Sequence, residues 1–316
     1  MKVNRLAQAP VRGSKFKQRS RRTALSLTVM ALPTIIYMFI FNYIPLYGFL
    51  LPFKNFNAAK GLFGSDWCGF ENFKFLFGGN NILIPLRNTI LYNIVFIAVG
   101  TSVCILVALM LFEVSKGFVK FFQTTFLLPY FISLVAVSFV VSVFLDMDAG
   151  LINNFMEKLG GDKIMWYNDP KYWPVILTIT HVWKSFGYTA LIYYAALMGL
   201  DKEVFEAATI DGASHMQQIW YISIPLIKSI IIMMFILSVG KIFNSDFGLF
   251  YNVPLNSTML YPTTDVVDTF VYRALTQTGD IGMASAAGAI QSLAGFILVL
   301  VTNYIVTKLD SDSAMF

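Results

Sequence analysis

Residues 206–225 read Glu206-Ala-Ala-Thr-Ile-Asp211-Gly212-Ala213-Ser-His-Met-Gln-Gln-Ile-Trp-Tyr-Ile-Ser-Ile-Pro225, an order that predicts a short helix, a turn and a second helix. Asp201 stands where a side-chain carboxylate caps a helix running through Val204, Phe205, Ala207 and Ala208. Asp211-Gly212 is a turn signal, because glycine enters the left-handed region without a Cβ penalty. Ser214 followed by Gln217 has the capping-box spacing for the next helix. Pro225 stands near where a long apolar stretch begins. The first helix thus ends in two alanines and a glycine beside the charge of Glu206. Side chains this small let another protein surface come close, and the carboxylate offers it a partner for Arg or Lys. An ordinary amphipathic connector explains the apolar spacing, but not this combination.

Outward from this segment the chain turns apolar. Of its 316 residues 57% are hydrophobic and 13% charged, against about 25% charged in a soluble domain. So little charge cannot coat a water-soluble particle of this size, and the remaining surface must face lipid. That excludes soluble enzymes, disordered regulators and collagen-like chains. Cys68 falls in a polar connection and Cys104 in an apolar run, so no disulfide framework is expected.

A helix needs about 20 apolar residues to cross a membrane. Stretches free of Asp, Glu, Lys and Arg occur at 23–53, 88–112, 121–145 and 281–307, and 172–200 is interrupted only by Lys184. A sixth, 229–240, is bracketed by Lys228 and Lys241 and extends back to about Ile222. These predict an all-α membrane protein with six transmembrane helices at about 24–51, 88–112, 121–145, 173–199, 222–243 and 281–307. They form one membrane domain over 23–310, with the loop 201–221 between the fourth and fifth spans. A basic tail covers 1–22 and is expected to lack structure before about residue 20. Small residues in the last span, such as Ala284 and Gly288, predict close helix packing.

Eight basic and no acidic side chains in the first 22 residues (Lys2, Arg5, Arg12, Lys15, Lys17, Arg19, Arg21 and Arg22) place the N-terminus in the cytoplasm by the positive-inside rule. Six spans return the C-terminus there, where Lys308 agrees, as do Lys116 and Lys120 in the second connection. The third connection, 146–172, carries five acids against three lysines and lies outside. A basic tail also suits nucleic acid or anionic lipid, but before a first span the topology reading is preferred, and no nucleic-acid partner is expected.

Catalytic signatures are missing. No phosphate loop occurs, since Gly240-Lys241 is followed by Ile242. His181 and His215 have no metal-ligand spacing, and no nucleophile elbow appears. Lys184, near mid-span, is costly unless it faces water, a partner or a ligand, or pairs with helix-end carbonyls or a carboxylate of the outer loop. Tyr188, Tyr193 and Tyr194 on the same helix offer ring faces for a sugar, or simply pack. Trp166, Tyr167, Tyr172 and Trp173 read as an interfacial belt. Asn244, Asp246, Tyr251 and Asn252 follow the fifth span and suit a polar cavity. Asp265, Asp268 and Arg273 suit a structural charge network.

The Glu-Ala-Ala at 206–208, the Asp-Gly-Ala at 211–213 and the closing Ile224-Pro225 resemble the cytoplasmic signature of permease subunits of bacterial ABC importers. Trp183-Lys184 before Gly187-Tyr188, then Ile192-Tyr193-Tyr194-Ala195-Ala196, is similar to the fourth-span region of sugar permeases. Asp265-Val-Val-Asp268-Thr-Phe-Val-Tyr-Arg273, with Phe250-Tyr251-Asn252 upstream, resembles the polysaccharide-type, aldouronate-like branch. The likeness covers the chain from about residue 24 onward; Asn256-Ser-Thr departs from the more apolar stretch of that branch.

The resemblance implies a type I ABC importer permease fold in which Glu206, Ala207, Ala208, Asp211 and Gly212 dock a coupling helix on an ATPase. It implies a second permease, two cytoplasmic ATPase subunits holding ATP and Mg²⁺, an extracytoplasmic solute-binding lipoprotein, and an oligosaccharide cargo. The chain itself would be no enzyme, with no catalytic residue, metal or cofactor, in the bacterial cytoplasmic membrane. The substrate path is expected to include Trp183, Lys184, Tyr188, Tyr193, Asn244, Tyr251 and Asn252. Three rivals remain: a permease for a non-sugar cargo, an ion-coupled secondary carrier working without an ATPase, and a membrane enzyme acting on lipid or glycan.

Overall fold

The structure, a computed structural model, describes residues 13–77 and 82–309. Lys2, Arg5 and Arg12 of the basic tail, and residue 310 at the expected end of the membrane domain, lie outside the described residues. The chain divides into two compact units, Met1–Leu51 and Pro52–Phe316. In the first unit α1 spans Gly13–Met38 and passes into a π turn over Phe39–Tyr43. Helix therefore reaches back to Gly13, against the expectation of an unstructured segment to about residue 20. Pro33 sits within α1, and a 3-10 stretch runs from Ile44 to Phe53, so Ser26–Phe53 is long and apolar enough to span.

The second unit opens with a two-stranded antiparallel hairpin, β1 (Lys54–Asn55) and β2 (Asp66–Trp67), followed by α2 (Glu71–Phe77). Then come α3 (Leu83–Glu113), α4 (Lys116–Phe131), α5 (Leu134–Leu145), α6 (Leu151–Lys158) and α7 (Trp173–Met198). After the short α8 (Lys202–Ile210) follow α9 (His215–Leu226), α10 (Lys228–Val239), α11 (Phe247–Asn252), α12 (Val267–Arg273) and α13 (Ile281–Leu309).

Among the described residues three continuous helices are long and apolar enough to cross a membrane, Ser26–Phe53, Leu83–Glu113 and Ile281–Lys308. Helix α7 has 26 residues, about 39 Å at 1.5 Å per residue, so it is long enough but less apolar. Its polar groups are used internally: His181 stacks on Phe96 with centroids 3.9 Å apart.

The other two predicted spans are not straight. The third is broken between α4 and α5 with a bend of 96°. Neither piece, 16 and 12 residues, reaches the roughly 30 Å of a hydrocarbon core alone. Pro129 lies just before the break, and Ser133 restarts the helix by accepting from the Ala136 amide at 3.2 Å. The fifth is bent by 59° at Ile227, two residues after Pro225. Its helix begins at His215, inside the segment assigned to the loop, because the chain continues through a π turn at Ile219–Ser223.

Close helix approach occurs, though not at Gly288, where a Cβ would meet nothing within 4 Å. It occurs at Gly295, where a Cβ would lie 2.6 Å from the Gly240 carbonyl, and at Gly187, where it would lie 1.8 Å from the Phe126 carbonyl. The aromatics expected to form an interfacial belt turn inward. Trp173 is fully buried and donates to the Trp166 carbonyl at 2.7 Å, while the Trp166 indole donates to Asn153 at 3.0 Å. Trp173 is taken into a nearby core, while Trp166, Tyr167 and Tyr172 stay half-buried.

Arg273 pairs with Asp265, both largely buried. The other carboxylate oxygen of Asp265 accepts from Thr269 at 2.7 Å, and its carbonyl accepts from Asn88 on α3 at 2.9 Å. Asp268 stands apart from this pair, accepting from the Ser245 amide at 2.7 Å and from Gln291 at 3.3 Å. Burial holds its carboxyl above the ordinary 3.8. Replacing Asp265 by alanine would leave a buried guanidinium without its counter-charge, at a cost of about 3–5 kcal/mol. The expected readout is a clear fall in the melting temperature of the solubilised protein; an unchanged melting point would show the pair to be dispensable.

Candidate functional site: the helix-turn-helix at 201–226 and the mid-span breaks

The segment 201–226 folds as its caps dictate. Asp201 accepts from the Glu203 amide at 3.0 Å and starts α8. Gly212 takes φ +81°, and with it the Ala213 amide turns back to the Ala208 carbonyl at 2.9 Å. Ser214 donates its amide to the Gln217 side chain at 2.7 Å, completing the capping box of α9. Gln218 ties the two helices together, donating to Thr209 at 3.0 Å and to the Ala213 carbonyl at 3.4 Å.

This unit is fixed to the spans at two points. His215 lies 3.0 Å from Glu113 at the last residue of α3, and the ring of Phe205 lies 5.7 Å from that of Phe112. Glu206, Ala207, Asp211 and Gly212 are exposed, and Ala208 is half-buried. Glu206 has no ion pair among the described residues. Around them Ile210 is 86% and Tyr221 79% exposed, a large uncovered apolar surface. A rigid helix carrying small residues, an unpaired carboxylate and uncovered apolar side chains is built to receive another protein.

A second polar locus sits at mid-span. The Lys184 ammonium donates to the carbonyls of Ile132 at 2.6 Å, Tyr130 at 3.0 Å and Pro129 at 3.4 Å. These are the oxygens freed where α4 ends, so Lys184 caps the break in the third span. It stands eleven residues into α7, about 16 Å from the start of that helix. At a similar depth Asn93, ten residues or about 15 Å into α3, donates to the carbonyls of Ile242 at 3.0 Å and Asn244 at 2.9 Å. Asn93 thereby satisfies the unwound backbone between α10 and α11. Non-helical backbone at this depth persists only where protein buries it or a wet cavity borders it.

The residues expected along a substrate path separate here. Trp183 and Tyr188 are exposed, and Tyr188 stacks on Tyr130 with centroids 4.9 Å apart and planes 13° from parallel. Asn244 is exposed, Tyr251 half-buried and in ring contact with Phe247 and Tyr272, and Asn252 is half-buried, donating to the Gly248 carbonyl at 2.9 Å. Tyr193 does not belong with them. It is 1% exposed and packs with Cys104, Ala190 and Leu197, because it points from α7 toward α3. Sequence reasoning passed over Tyr130, Asn93 and Tyr272; Pro129 beside Tyr130 was the one available signal, marking a place where backbone polar groups come free.

Residues 86–311 match the family described as "Binding-protein-dependent transport system inner membrane component". The chain belongs to that family. It is 33% identical over 315 residues to the polygalacturonan/rhamnogalacturonan transport system permease protein YteP of Bacillus subtilis, covering 97% of this chain and 98% of that one. Protein LplB of the same organism is 31% identical over 287 residues, covering 90% of each. Among solved structures, a bacterial ABC transporter involved in import of the acidic polysaccharide alginate superposes with a TM-score of 0.83 at 30% identity, covering 94% of this chain and 100% of that one. A bacterial alginate ABC transporter in complex with an alginate pentasaccharide-bound periplasmic protein gives 0.82 at 30% identity, covering 92% and 97%. The fold is thus the type I ABC importer permease fold, in an inner membrane component of a transport system.

Proposed function

We propose that this chain is a permease subunit of an ATP-driven importer for oligosaccharides or polysaccharide fragments. It would form the substrate path with a second permease, above two cytoplasmic ATPase subunits that hold ATP and Mg²⁺, and receive cargo from an extracytoplasmic solute-binding lipoprotein. The N- and C-termini would face the cytoplasm. The observation that carries this reading is the exposed helix-turn-helix at 201–226, rigid by its caps and linked to the ends of two spans. Glu206, Ala207, Ala208, Asp211 and Gly212 would meet the ATPase there. Closure of the ATPases would push this unit and, through Glu113 and Phe112, shift α3.

The cargo reading draws support from the relatives and from the mid-span breaks. Trp183, Tyr188, Asn244, Tyr251 and Asn252 would border the path, offering ring faces for sugar rings and amides for their hydroxyls. Lys184 would shape the path by holding the break. Net transport requires cargo affinity to differ between outward- and inward-facing states, since equal affinity shifts nothing.

The test is a gentle detergent pull-down of the tagged chain from native membranes, followed by mass spectrometry. An ATPase and a second permease are expected with it. Recovery of the chain alone, under conditions that keep known complexes intact, would overturn the reading in favour of a carrier working without an ATPase.

A further inference from the structure

We propose that the hairpin β1–β2 with α2 is an aromatic anchor seated in the head-group layer of the bilayer, on the side opposite the coupling helix. The segment is ordered far beyond what a connection needs. Lys54 is 3% exposed, and its ammonium donates to the carbonyls of Leu62 at 2.9 Å, Phe63 at 3.1 Å and Ser65 at 3.2 Å. Gly61 and Gly69 make the required left-handed turns, at φ +69° and +62°. This frame presents three large aromatic side chains to the outside: Phe63 at 73%, Trp67 at 66% and Phe70 at 67% exposure. Phe70 meets Phe53 edge-on with centroids 5.5 Å apart and Phe73 at 5.6 Å, yet about two thirds of its surface stays uncovered.

Position decides what covers them. Asn72 on α2 donates to the carbonyls of Pro52 at 2.9 Å and Lys54 at 3.1 Å. Its side chain also lies 2.6 Å from where a Cβ on Gly282 would stand, so α2 is seated on the first turn of α13. The hairpin is therefore level with the end of a span rather than projecting away from it. It is also at the start of α3, whose other end, 31 residues away or about 46 Å, carries Glu113 against the coupling unit. Tryptophan and phenylalanine at the end of a span suit the interface, where an apolar ring and a polar edge are both satisfied. The buried ammonium of Lys54 lies 5.0 Å beneath the Trp67 ring, and the exposed Lys60–Asp66 pair at 2.8 Å gives the patch the polar side that faces water.

The test uses the full chain with its co-purifying partners in nanodiscs of phosphatidylcholine and phosphatidylglycerol. Emission of the wild type minus that of Trp67→Phe isolates Trp67. Lipid brominated near the head-group end of its chains is expected to remove this difference emission, while aqueous iodide leaves it. Quenching by iodide and not by bromolipid would overturn the proposal. So would shielding from iodide that appears only when the solute-binding protein is added, which would make the patch a protein-docking face. Should Trp67→Phe not assemble, Phe70→Cys in a Cys68→Ser background, labelled with a polarity-sensitive dye, reads the same depth. A blue-shifted emission in nanodiscs, unchanged by the binding protein, is expected; a water-like emission overturns the assignment.

Discussion

Replacing Glu206 by lysine and Gly212 by valine together is expected to abolish ATP-driven uptake while leaving the chain inserted in the membrane. The two changes act on separate terms. Glu206→Lys reverses an exposed charge on α8 that has no ion pair among the described residues, and would face a cationic partner with a like charge. Gly212 sits at φ +81°, where a β-branched residue is strained by about 1–3 kcal/mol. That strain is relieved only by moving the turn, and the turn aims α8. Neither residue contacts the apolar core, so the spans should fold as before. Three readings separate the outcomes: the amount of chain in the membrane, the amount of ATPase recovered with it, and uptake. Normal insertion with ATPase and uptake both lost is the expected set. Normal uptake would show that docking runs through other residues.

The helix-turn-helix at 201–226 was legible because its signals are local. Each cap lies within three residues of the amide or side chain it meets, so Asp201, Gly212, Ser214 and Gln217 could be assigned from spacing alone. The span positions were legible because charge is excluded from lipid over long stretches. The breaks were not, since a charge-free run looks the same whether it is one helix or two. Pro129 and Ser133 marked the first break, but neither forces a bend of 96° without a donor for the freed carbonyls. That donor, Lys184, lies 52 to 55 residues away in sequence. Tyr193 failed for a related reason. Helical spacing places Tyr188 and Tyr193 on different faces, and only the packing of α7 on α3 decides which face is covered. The outer aromatics were read as a belt from composition, whereas Asn153, which accepts from one of them, turns the cluster inward.

Replacing Lys184 by methionine is expected to be the most damaging single change in the membrane domain, and the reason is structural rather than cargo-directed. Methionine keeps the stem and its packing but removes a charge-assisted donor from three carbonyls. The Pro129 carbonyl keeps the Ile132 amide at 3.2 Å, but a Tyr130 or Ile132 oxygen left without a partner away from water costs about 1–3 kcal/mol, so the loss over these two sites is a substantial fraction of the roughly 5–15 kcal/mol that holds a typical protein together. No nearby side chain replaces it: among the described residues these three carbonyls take their side-chain hydrogen bonds from Lys184 alone. The third span would then tend to close its gap by extending α4, displacing Tyr130 from Tyr188. The expected result is a large drop in melting temperature and in assembled transporter, with uptake lost for every cargo tried. Lys184→Arg should restore part of both, since a guanidinium keeps the charge and supplies more donors, though in a planar fork less suited to three converging oxygens. A variant that melts like the wild type and fails only at low cargo concentration would instead make Lys184 a ligand for the cargo. The ammonium would then have to leave its carbonyls during transport, and the break in the third span would be a moving part rather than a fixed one.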